Sequence, residues 1–122
     1  MLNVNRVTLL GNLIEDPTIR DTKNGTKVCN FRVATSKTWK DKEGVKKSSR
    51  QFHRATVFGG VAEFMQNLQK GDGVFVEGEL VYGSYEKDGQ KVYTTDIQIG
   101  YDGKVIAVDL GEAENNDNSD DF

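Results

Sequence analysis

The chain is poor in the residues on which several protein classes depend. Its 122 residues include one cysteine, Cys29, and one histidine, His53. A single cysteine cannot close an intramolecular disulfide, which excludes a secreted disulfide scaffold and makes a reducing, cytoplasmic compartment the expectation. One cysteine and one histidine are also too few for a Cys/His zinc site, so neither a metal nor a cofactor is expected. There is no Gly-x-Ser-x-Gly, Walker-type or His-Glu-x-x-His pattern, so no catalytic residue is nominated and an enzyme is not expected. Glu77 and Glu79 share a strand face, but such pairs read as solvated surface. No apolar run approaches the ~18–20 residues that span a bilayer. The N-terminal segment carries no cleavable signal pattern, so neither a membrane span nor a leader is expected.

What remains suits a single domain. Hydrophobic residues make up 36% and charged residues 29%, enough to fill one core at this length. The formal charge of -3 hides a polarity along the chain. Residues 111–122 hold five acids, Glu112, Glu114, Asp117, Asp120 and Asp121, and no base. Residues 20–54 hold eleven Lys or Arg against three acids. A basic middle and an acidic end fit a polyanionic partner and something that competes with it. Lys-rich loops and acidic termini also serve plain solubility, so charge alone does not choose.

The hydrophobic pattern predicts strands. Residues 4–13 read as a first strand with Gly11 as a bulge or close-approach site. The Asp16-Pro17 pair breaks it, and residues 18–21 resume pairing. Asn24-Gly25 signals a hairpin, since both residues tolerate positive φ. Residues 27–38 form a long second strand, 40–49 a charged loop, and 50–58 a third strand. Val61, Phe64, Met65 and Leu68 fall at i, i+3, i+4 and i+7, which predicts a helix over 61–69 ended near Gly71. A fourth strand (74–85), a turn at Lys87-Asp88-Gly89-Gln90, a fifth strand (92–99) and a short closing strand (104–110) complete the domain. Residues 111–122 have no β-branched residue and read as a disordered acidic tail. An all-β meander with one helix between strands three and four predicts an OB-fold, a five-stranded Greek-key barrel, over residues 1–110.

Binding chemistry follows from strand parity. In the third strand Phe52, Arg54, Thr56 and Phe58 point one way, and Gln51, His53, Ala55 and Val57 the other. With Ala55 and Val57 in the core, two aromatics flank an arginine on the open face. That makes a base-stacking platform with a phosphate contact between the rings. Arg32 joins it from the second strand, where Phe31 and Val33 have core parity. Trp39 stands among Lys37, Lys40, Lys46 and Lys47, and Tyr85 beside Lys87. Phe31, Phe64 and Phe75 read as core, Cys29 as a small buried hydrophobe, and His53 as a packing or interface residue.

These residues carry a resemblance. NRVTLLGNLIEDPTIR, VATSKTWKDKEG, FHRATVFGGVAE, KGDGVFVEGEL and YTTDI stand in the order and spacing of the bacterial-type single-stranded DNA-binding proteins of bacteria, their phages and plasmids, and mitochondria. The resemblance implies an OB-fold, homo-oligomers that are most often tetramers, and single-stranded DNA wrapped without sequence preference. By position it assigns base stacking to Trp39, Phe52, Phe58 and Tyr85. It assigns His53 and the first strand, with Val7 and Leu9, to subunit contacts. Phe52 and Tyr85 stand where many members have tryptophan, and Val81 and Gly83 where basic residues are common. Asp120-Asp121-Phe122 resembles the family's acidic, Phe-terminated tip, without the Ile-Pro that usually precedes the Phe. The tip implies docking onto replication and repair proteins. The expected function is coating and protection of single-stranded DNA in replication, recombination and repair. The alternatives are an OB-fold protein-interaction adaptor or a single-stranded RNA binder.

Overall fold

The computed structural model describes residues 1–108; the acidic tail, with Asp120, Asp121 and Phe122, lies outside the described residues. In chain order the elements are β1 (Val7–Leu13), β2 (Thr18–Asp21), β3 (Lys27–Lys40), β4 (Lys46–Phe58), α1 (Gly60–Met65), β5 (Gly73–Lys87), β6 (Gln90–Ile99) and β7 (Lys104–Val108). The path β1-β3-β4-β6-β5 closes on itself because β1 pairs with β5 as well as with β3. Among the described residues only β4 and β6 pair in parallel. Closure covers most of the sheet edges that invite aggregation, although residues 7–11 of β1 have no β3 partner. β2 adds to β3 and β7 to β5 outside the ring. This is the OB-fold, with its helix between the third and fourth barrel strands.

Alternation along the strands builds the core. Cys29, Phe31 and Val33 of β3 face inward with Ala55 and Val57 of β4, Val74 and Val76 of β5, and Ile97 and Ile99 of β6. Register supports this, since Phe31 pairs with Ala55, Cys29 with Val57, and Ala55 with Ile97. The helix closes one end with Ala62 and Met65, both fully buried, and Leu68 packs partly against the same cluster. Gly11 lets β1 cross the barrel: a Cβ there would collide with the backbone carbonyl of Ala34 and crowd Val33.

Several expectations need correction. The first strand begins at Val7, not at residue 4. Half of the expected 40–49 loop is ladder: Thr38 pairs with Ser48, Trp39 with Lys47 and Lys40 with Lys46, leaving Asp41–Val45 to turn. A ribbon solvated on both faces has no apolar alternation to read, so its polar arms look like loop. The helix has six residues rather than nine. Its buried residues are Ala62 and Met65, which leaves Val61 and Phe64 exposed. Phe75 is half-buried in the outward row Leu10–Phe75–Ile106, whose other two members are exposed. At the Asn24-Gly25 turn only Gly25 takes positive φ; Asp88-Gly89 is the turn in which both residues do, at 54° and 78°.

Candidate nucleic-acid interface

One continuous outer face crosses three strands. On β4 it carries Phe52, Arg54, Thr56 and Phe58, the residues whose parity is opposite to buried Ala55 and Val57. The parallel pairing of Thr56 with Gln98 puts Asp96 of β6 on this side. The pairings Val81–Asp96, Gly83–Thr94 and Tyr85–Val92 extend the face along β5 to Tyr85 and Lys87. Phe52, Phe58 and Tyr85 are 55%, 45% and 52% exposed. Large aromatics held open on a rigid sheet supply stacking area at no folding requirement of their own.

Trp39 lies on the other side. It pairs with Lys47 and shares the parity of Phe31 and Val33, beyond the point where the ribbon leaves the barrel. It is 43% exposed, and the Lys37 ammonium sits 5.6 Å from its ring centroid in a cation–π contact. Lys40 and Lys46 face each other at the ribbon's tip, and Lys47 lies 3.9 Å from Asp41.

The two arginines of the outer face are occupied. Arg32 and Arg54 are direct cross-strand partners, and like charges so placed repel. Glu15, from the loop after β1, accepts from Arg32 Nε at 2.8 Å and Nη2 at 3.3 Å. That hydrogen bonding holds the Glu15 carboxyl below its ordinary pKa and raises Arg32. Arg54 Nε lies 3.2 Å from Asp96 Oδ1. The oxygen is screened from water and has no aligned hydrogen-bond donor among the described residues, so the contact is one of charge. The expected bare arginine between two rings is therefore a neutralised one. The cause is that sequence spacing gives no view of the carboxylates on the β1 loop and β6.

A cationic site escaped the sequence reading. Arg50 and Lys70 line one groove with Phe52, Ala34 and Ile14, of about 460 Å³. Arg50 has the parity of Phe52 on β4, whereas Lys70 comes from the segment before β5, where its backbone N–H donates to Asp16 at 2.8 Å. Parity from the aromatics could have found Arg50; nothing local points to Lys70.

The profile of the Single-strand binding protein family matches residues 4–102. The chain belongs to this family. Family membership brings single-stranded DNA as the ligand class. The chain is 43% identical over 100 residues to Single-stranded DNA-binding protein 1 of Xylella fastidiosa, covering 80% of this chain and 74% of that protein. Among solved structures, a Plasmodium falciparum SSB in complex with ssDNA superposes with a TM-score of 0.82 at 28% identity. That match covers 89% of this chain and 98% of the other. A deletion mutant of the single-stranded DNA binding protein from Thermus aquaticus gives 0.72 at 28% identity; the match spans 88% of this chain and about half (51%) of that one.

The residues that the family resemblance assigns to subunit contacts fall in two settings. The His53 ring takes up a 2.9 Å hydrogen bond with the Thr35 hydroxyl, half-buried where the ribbon leaves the barrel. Val7 and Leu9 are half-buried and pack against the barrel core. The outward apolar residue of β1 is instead Leu10, 62% exposed.

Proposed function

We propose that this single-strand binding family member coats and protects single-stranded DNA, without sequence preference, during replication, recombination and repair. The observation that carries the reading is the continuous face bearing exposed Phe52, Phe58 and Tyr85, with cations on its flanks. Phosphates are drawn to Lys37, Lys40, Lys46, Lys47, Arg50, Arg54, Lys70 and Lys87, with Arg32 beside Arg54, while bases stack on the three rings and on Trp39. Every base has a π-face, so such stacking reads no sequence, at about 1–3 kcal/mol per base. Phosphate contacts make the affinity fall with salt.

The working unit in this proposal is a homo-oligomer, a tetramer by family resemblance. Its contacts involve His53 and β1 with Val7 and Leu9. Support comes from the outer edge of β1, which pairs with β3 only through Asn12 and Leu13. The acidic tail, ending Asp120-Asp121-Phe122, competes for the basic groove and recruits replication and repair proteins in the cytoplasm.

The test is a titration with oligo(dT), oligo(U) and duplex DNA, following Trp39 fluorescence and a parallel gel shift at low and high salt. Quenching by oligo(dT) that weakens with salt, and little by duplex, is expected. Preference for oligo(U) would turn the reading to RNA. Absence of binding in both assays would favour a protein-interaction adaptor.

A further inference from the structure

Between Phe52 and Phe58 the outer face dips into a depression of about 170 Å³, bordered by Arg32, Arg54, Glu15, Asp96, Asn30 and Thr56. Its two guanidiniums and two carboxylates cancel. The Thr56 hydroxyl is likewise committed, donating to Asn30 Oδ1 at 2.9 Å. The stacking rings are thus separated by a patch that offers an approaching phosphodiester no net charge. Yet a phosphate uses the same N–H fork that a carboxylate uses. The pairs are also replaceable: the side chains of Arg32 and Glu15 are 45% and 51% exposed, and ion pairs in that setting are weak. The Asp96 contact lacks hydrogen-bond alignment altogether.

We propose that Glu15 and Asp96 are resident competitors of DNA phosphate for Arg32 and Arg54, and that the strand binds this part of the face by exchanging carboxylate for phosphate. The inference rests on the reading of this face as the single-stranded DNA interface. The carboxylates keep two opposed arginines together in the unbound protein. They also hold down affinity and salt sensitivity at the centre of the track, because an exchange that leaves a carboxylate beside the phosphate neutralises little of the DNA. Asp96 and Glu15 are positioning residues here: they act through the arginines.

The experiment measures anisotropy of labelled oligo(dT) with the full chain across a salt series. Glu15→Gln keeps the side-chain shape and removes the charge. It is expected to bind about three-fold tighter at low salt, with a log K against log salt slope steeper by about 0.7. The Glu15→Gln, Asp96→Asn double variant should roughly double the change in slope. In an Arg32→Ala background Glu15→Gln should do nothing. Asp102→Asn, on the β6–β7 turn in a groove with Asn5, Arg6, Glu77 and Glu79 and in contact with neither arginine, changes net charge equally and should leave the slope alone. Unchanged or weaker binding by Glu15→Gln overturns the exchange, as does an equal gain in Asp102→Asn. A parent chain that fails to bind oligo(dT) overturns the interface reading and the exchange with it, whereas normal parental binding with an unmoved Glu15→Gln overturns the exchange alone.

Discussion

Trp39 and Phe52 stand on opposite faces of the β3–β4 ribbon. Phe52 pairs with Ala34 and Trp39 with Lys47, and Trp39 stands five positions after Ala34, an odd step that reverses the side-chain direction. A strand that stacks on both rings must therefore pass around the ribbon rather than lie flat across one sheet.

Both rings should matter and neither should be needed for folding. Trp39→Ala and Phe52→Ala are each expected to weaken oligo(dT) binding by about 1–3 kcal/mol. Their melting temperatures should barely move, because both side chains are about half exposed. Phe52→Trp should bind more tightly than the parent by its larger stacking area. Titration of the three variants by gel shift, beside thermal melts, checks this.

Arg50 and Lys70 should report through salt. Each substitution to Gln removes a cation beside Phe52 and is expected to make the log K against log salt slope shallower by about 0.7. The same change at Arg6, which lies 3.4 Å from Glu77 and outside the groove beside Phe52, should leave the slope unchanged.

Gly11→Ala should destabilise the barrel by about 1–3 kcal/mol or more, since the new methyl meets the Ala34 backbone carbonyl, which cannot turn aside as a side chain could. Denaturant unfolding gives the value. A stability equal to the parent's would mean that β1 shifts its register against β3.

Cys29 gives a pH signature. It is fully buried, and desolvation pushes its thiol from 9.0 up to about 11. The unfolded chain therefore loses this proton first. The thiol's contribution is intact below about pH 9 and is lost as pH rises to about 11. Cys29→Ala should show a shallower alkaline loss of stability than the parent. The native thiol should also resist alkylation at pH 8 and react once the chain unfolds.

Much of this was legible in the residue order because a strand's side-chain period is two. Buried Ala55 and Val57 set the facing of Phe52, Arg54 and Phe58, and the break in that pattern at the helix placed α1 between two strands. Phe31 read correctly as core. Phe64 and Phe75 did not, since hydrophobicity states what a residue favours and not which side of a six-residue helix or a two-sided sheet has a neighbour to cover it.

Local alternation and turn chemistry thus determined the strands, the barrel class and the exposed aromatics, all of which depend on residues near one another in the chain. Only the tertiary structure decided which cations are available. Glu15 meets Arg32 across 17 positions, Asp96 reaches Arg54 from another strand, and Lys70 joins Arg50 and Phe52 in one groove. Electrostatic pairing depends on distance through space, and barrel closure brings together charges that the sequence holds far apart.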